Sequence, residues 1–115
     1  MKRKVLLLFA IVANLLSCEP NVSTPLSWSF ENGRVKIIVE GTQENWAEPW
    51  QPVISIYVDG ALISTQPGLP VFLSKFDREN IHVEWQKEKR GVITFTQRDG
   101  EEKQLVLPRL SSLLD

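Results

Sequence analysis

The chain has one histidine, His82, and one cysteine, Cys18. Glu84 follows His82 at a spacing of two, which places both side chains on the same face of a β-strand. Such a pair suggests part of a metal site or a general acid/base pair. A stable metal site needs three or four ligands, and covalent catalysis needs a nucleophile set against a base. With no second histidine to complete either arrangement, we expect a solvent-facing pair, no cofactor and no enzymatic activity.

Two of the four tryptophans, Trp46 and Trp50, lie in the proline-containing segment 42–52 together with Glu44 and Glu48. Rigid aromatic side chains supply contact area for a protein partner or a stacking platform for sugar rings. The four residues are therefore our candidate partner-binding site. The alternative is that both rings fold back and plug one open end of a small core. One ring could also serve each role.

The elements around these residues are predicted to be β-strands. The six glycines are dispersed between runs of β-branched and aromatic residues, which is typical of chain reversals and not of a phosphate-binding loop. Asp59-Gly60 joins two alternating runs and predicts a tight hairpin. The predicted strands are Leu26–Phe30, Arg34–Glu40, Val53–Val58, Ala61–Thr65, Val71–Phe76, Ile81–Gln86, Val92–Gln97 and Glu102–Leu107.

Alternation within these strands predicts which side chains face the core. We expect both Trp28 and Trp85 to pack in the core, and the strand Val53–Val58 to be central because both of its faces carry apolar groups. The sequence thus predicts an all-β domain, a small antiparallel β-sandwich of about seven to eight strands, with an up-and-down barrel as the alternative. The predicted inward residues are Val35, Ile37, Val39, Ile54, Ile56, Val58, Ile81, Val83, Trp85, Ile93, Phe95, Leu105 and Leu107.

The N-terminus has the pattern of an export signal. A basic head, residues 2–4, precedes an apolar run from Val5 to Leu16 that is too short to span a bilayer. The sequence Leu15-Leu16-Ser17-Cys18 resembles the lipobox of bacterial lipoproteins. The resemblance implies cleavage before Cys18 and acyl chains such as palmitate on that cysteine. Two or more chains would make the anchoring stable.

The predicted cleavage before Cys18 and the strand pattern divide the chain into three parts. Residues 1–17 are the signal peptide, residues 18–25 are the lipidated cysteine and a flexible tether, and residues 26–115 form a single β-domain. At the C-terminus, segment 109–115 is expected to be a closing turn packed on the domain, with a partner-docking tail as the alternative.

Charge limits the class of partner. The signal carries three of the thirteen Lys and Arg residues and none of the fourteen acidic residues, so the remainder is acidic and poorly suited to nucleic acid. We therefore expect a lipid-anchored envelope protein that acts through binding, as an accessory subunit of an envelope or secretion complex. The alternatives are an inhibitor or immunity protein against a toxin or hydrolase, and a carbohydrate-binding lipoprotein. Glu19 differs from the aspartate that the resemblance associates with inner-membrane retention, which favours the outer membrane over the inner membrane. The expected location is the periplasm-containing cell envelope.

Overall fold

The computed structural model describes residues 19–114, and the predicted signal peptide and Cys18 lie outside them. Eight strands form two antiparallel sheets, and one helical turn follows. The all-β prediction is confirmed, and within residues 19–114 the sheets form a small sandwich and not a closed barrel. The elements are β1 Asn21–Val22, β2 Leu26–Phe30, β3 Val35–Gln43, β4 Gln51–Val58, β5 Ala61–Pro67, β6 Ile81–Gln86, β7 Arg90–Thr96, β8 Glu102–Val106 and α1 Ser111–Leu114.

The first sheet is organised around β3. One edge of β3 pairs along its length with β4, which in turn pairs with β5, so β4 is central as predicted. The other edge of β3 pairs with β2 over Val35–Val39 and with the short β1 at Thr42 and Gln43. Residues 21 and 22, assigned to the tether in the sequence analysis, are therefore the first paired residues of the sheet.

The second sheet has the order β6-β7-β8. The core lies between the two sheets, where the predicted alternation is confirmed. Trp28, Trp85 and Leu105 are half-buried and pack against this core. Its largest fully buried side chains include Phe95, Ile37, Ile54, Ile56, Ile81, Ile93 and Leu107.

One end of the sandwich, which we call the turn end, contains the β2–β3, β4–β5 and β6–β7 turns together with α1. Leu110 and Leu114 are buried there, so the C-terminal segment closes the core. Arg34 links two turns and α1: its Nε and Nη2 donate to Asp59 at 2.9 and 3.0 Å, and its Nη1 donates to the Leu114 carbonyl oxygen. The opposite end, the loop end, contains β1 and the connections 44–50, 68–80 and 97–101.

The predicted strand Val71–Phe76 is not a strand. Val71 makes only an isolated bridge to Trp50, and the chain then crosses to the second sheet. There Phe72 donates its N–H to Gln97 Oε1 and accepts at its carbonyl from the N–H of Arg98. Val71 and Leu73 are buried while Phe72 is exposed. The alternating pattern therefore arises from a segment that covers the core edge without a continuous partner strand.

The prediction that all six glycines lie at chain reversals is also wrong. Gly33, Gly60 and Gly100 have positive φ and occupy turns, as expected. Gly41 lies within β3 and Gly91 within β7, and both are buried. A Cβ on Gly91 would lie 2.8 Å from Ile37 Cδ1, so this glycine permits the two sheets to approach closely.

Candidate functional site

The candidate site is the segment Gln43 to Trp50 at the loop end, which we call the tryptophan loop. Its interior is a tight turn, in which Asn45 Oδ1 accepts from the N–H of Ala47 at 2.9 Å and the Asn45 carbonyl accepts from the N–H of Glu48 at 3.0 Å. A short polar side chain that bonds to the backbone two residues on is a common way to fix such a turn. The interior of the loop, residues 44–49, is thus locally ordered without being part of either sheet.

Gln43 fastens this turn to the sheet. Its side chain is only 5% exposed, and its Nε2 donates to the Glu48 carbonyl oxygen at 2.9 Å. Its Oε1 accepts from Asn21 Nδ2, also at 2.9 Å. A buried amide with both ends bonded holds its partners in fixed positions, since leaving either end unpaired would be costly. The loop is consequently joined to β1 through one side chain.

The two tryptophans have different environments. Trp50 is 9% exposed, its ring centroid lies 5.1 Å from that of Phe76, and its backbone pairs with Val71. Trp46 is 77% exposed. Trp50 is therefore the plug, which removes it from the candidate contact residues, because its ring has no free face to offer. Trp46 is the ring that remains available to a partner.

Two carboxylate residues flank Trp46 along the loop. Glu44 and Glu48 are both exposed, and neither makes a salt bridge with any residue in the 19–114 range. The two ion pairs found in that range, Arg34–Asp59 and Lys89–Glu31, both lie at the turn end. The tryptophan loop thus presents an apolar ring with unpaired negative charge, and its complement would be a basic surface with an apolar recess.

Glu31 forms one of the two ion pairs found among residues 19–114. Its Oε1 accepts from Lys89 Nζ at 2.7 Å and its Oε2 accepts from Trp85 Nε1 at 2.8 Å. The hydrogen bonds from Lys89 and then Trp85 lower the pKa of the Glu31 carboxyl below its ordinary value. The contact joins the first sheet to the second and has a structural role. Sequence alone offered no signal for it, since these residues are more than fifty positions apart.

His82 and Glu84 lie on the exposed face of β6, as predicted, opposite Thr94 and Val92 of β7. Within residues 19–114, no group of three or more His, Cys, Asp or Glu side chains is placed to hold a metal ion. The structure therefore does not bring further ligands to this pair.

A second surface feature at the loop end was missed by the sequence analysis. It is an open groove of about 560 Å³, where the Arg98 guanidinium lies 5.3 Å from the centroid of the exposed Phe72 ring. Phe72 could have been found, because the alternation of Val71 and Leu73 assigns it outward. The position of the Arg98 guanidinium over the Phe72 ring could not be predicted from the sequence.

The chain matches no protein family, no curated protein and no solved structure in the three comparisons made. No helix among the described residues is long and apolar enough to cross a membrane.

Proposed function

We propose that this protein is a lipid-anchored cell-envelope protein that acts through binding, as an accessory subunit of an envelope or secretion complex. The lipid is carried by Cys18, and the tryptophan loop is the contact surface. Catalysis has no part in this proposal, and neither does a cofactor apart from the covalent lipid.

The observation that carries the binding proposal is the exposure of Trp46. A tryptophan that is 77% exposed presents a large apolar area to water, and such residues commonly act as anchors at interfaces. The turn around Asn45 and the buried Gln43 already order the loop. Less conformational entropy is then lost when a partner binds.

The lipid anchor is supported by the lipobox-type sequence at residues 15–18 and by the basic and apolar segments before it. Glu19 after the cysteine favours the outer membrane over the inner membrane. A lone cysteine in an exported chain cannot form an internal disulfide, which also agrees with modification by lipid.

The same surface would suit an inhibitor or immunity protein that blocks a toxin or hydrolase, because an acidic loop with an exposed ring can occupy a basic active-site cleft. An exposed tryptophan could also stack on a sugar ring. A screen on a glycan array tests the carbohydrate alternative. Inhibition of a partner enzyme's activity by the purified protein would favour the inhibitor.

The lipid proposal is tested by labelling cells with a radioactive fatty acid and isolating the protein. The wild type should be labelled, processed and found in the membrane fraction, whereas Cys18→Ala should be unlabelled and unprocessed. Ser17→Ala is the matched control, since it alters the neighbouring residue and keeps the thiol. Equal labelling of wild type and Cys18→Ala would contradict the proposal.

A further inference from the structure

The connection between the lipid-bearing residue and the sheet is short. Only Glu19 and Pro20 separate Cys18 from Asn21, the first residue paired with β3. Three residue steps of extended chain reach at most about 11 Å. If Cys18 carries the lipid, as the proposed function requires, β1 lies within that distance of the membrane surface.

The hydrogen bonds described above place the tryptophan loop at the same position. Asn21 bonds to Gln43, and Gln43 bonds to the carbonyl of Glu48, so one side chain connects β1 to the loop. Val22, beside the tether, is 73% exposed, and Trp46 is 77% exposed. The turn end lies at the other end of β4, about 24 Å away for an eight-residue strand.

Charge decides between a bilayer and a protein as the occupant of this surface. Glu19, Glu44 and Glu48 are all exposed and lie on the tether or the loop. An anionic bilayer surface attracts basic segments and repels carboxylates. A protein surface rich in Lys or Arg attracts the same carboxylates and can also accept the indole ring in a cation–π contact.

We propose that the sandwich stands with its loop end at the membrane, and that the tryptophan loop binds an integral protein of that membrane at a basic surface level with the lipid headgroups. This inference rests on the proposed lipid anchor and names the class of partner. The turn end faces away from the bilayer and does not take part in this contact.

Orientation can be measured on the intact lipoprotein. Because Cys18 is the chain's only cysteine and its sulfur would carry the diacylglyceryl group, an introduced cysteine is the single free thiol. Ala47→Cys in the loop and Ala61→Cys at the turn end are a matched pair, as both residues are exposed. Each is labelled with a fluorophore and reconstituted in vesicles of phosphatidylethanolamine and phosphatidylglycerol that carry a headgroup-attached quencher.

We expect strong quenching of the label at position 47 and little quenching at position 61. Equal quenching, or stronger quenching at position 61, would overturn the orientation. Vesicles with brominated acyl chains test the bilayer itself as the occupant. Loss of tryptophan emission in the wild type but not in Trp46→Phe would place the ring in the lipid and would overturn the protein-partner proposal.

The partner is tested in intact cells with a photo-crosslinking amino acid at position 47 or 61. Position 47 should give an adduct whose partner peptide lies beside a membrane span and contains Lys or Arg. The yield should fall at least about tenfold when Glu44→Lys and Glu48→Lys are combined, because like charges then face each other. An adduct with a soluble protein or with lipid alone, no adduct, or an equal yield from position 61 would refute the proposal.

Mass spectrometry of the isolated mature protein separates the two levels of inference. A chain without lipid on Cys18 would overturn both the proposed function and this inference. A lipidated chain with the wrong orientation, or with the wrong kind of adduct, would overturn this inference alone.

Discussion

Trp46 and Trp50 lie four residues apart in one loop, and we predict that replacing each with alanine will affect different properties. Trp50 is buried against Phe76 and paired through its backbone with Val71. Truncating a packed tryptophan costs about 3–5 kcal/mol, through lost burial and the cavity left behind. For a small domain with a total stability of about 5–15 kcal/mol, Trp50→Ala should remove a large share of the free energy of unfolding.

Trp46→Ala is the matched control, because it deletes the same side chain from an exposed position of the same loop. Its free energy of unfolding should stay within about 0.5 kcal/mol of the wild type, as for most surface substitutions. Binding of the partner should instead weaken by about 2 kcal/mol or more if Trp46 is an anchor. Trp50→Phe retains an aromatic ring against Phe76 and should recover part of the stability lost in Trp50→Ala.

The assay is urea unfolding followed by far-ultraviolet circular dichroism, since the tryptophan fluorescence changes with the substitutions themselves. The linear dependence on urea gives the free energy of unfolding for each variant. If Trp46→Ala were destabilised by as much as Trp50→Ala, the exposed ring would be packed in solution and the proposed contact surface would be lost. A Trp50→Ala variant as stable as the wild type would contradict the plug.

Three further outcomes are expected. The pKa of Glu31 is lowered from 4.5 when the protein folds, so its carboxylate stabilises the fold above that pH, and this contribution is lost as the pH falls through the folded pKa. Glu31→Gln should therefore lose less stability on acidification in urea melts. A pH dependence identical to that of the wild type would exclude the ion pair with Lys89. Gly91→Ala should cost about 1–3 kcal/mol by overpacking against Ile37, and the added change Ile37→Val should restore part of it in the same assay. His82→Ala should change the free energy of unfolding by less than about 0.5 kcal/mol and leave binding unaffected, so a folded variant that loses function would reopen the question of catalysis.

The strands and their inner faces could be predicted because one face of each sheet is buried. In β3, Val35, Ile37 and Val39 alternate with residues that are more exposed, and a shift of one residue would turn all three toward solvent. The Asp59-Gly60 hairpin could be predicted because its turn has its own local chemistry. These features depend on residues close in sequence, which is the information that a pattern contains.

Other features depend on contacts between distant residues, so the sequence pattern could not determine them. The alternation of Val71–Phe76 indicates which side chains are buried but not whether a partner strand lies beside them. The sequence pattern assigns Gly91 to a turn. The close approach of Ile37 from the other sheet is what leaves no room for a side chain at this position. The difference between Trp46 and Trp50 likewise depends on Val71, which lies more than twenty residues later.

The two ends of the sandwich differ in a way that bears on the proposed function. Both ion pairs found among residues 19–114 join turns at the turn end, where they cross-link the sheets and the C-terminal helix. The exposed carboxylates of the tryptophan loop have no such partners in that part of the chain, so their charge is available to another molecule. Arg34→Ala should therefore reduce stability and leave partner binding intact, whereas Glu44→Gln with Glu48→Gln should weaken salt-sensitive binding and leave stability intact. Unfolding and binding measured on both variants at low and high salt test this division, and loss of binding in a folded Arg34→Ala variant would show that the turn end also contacts the partner.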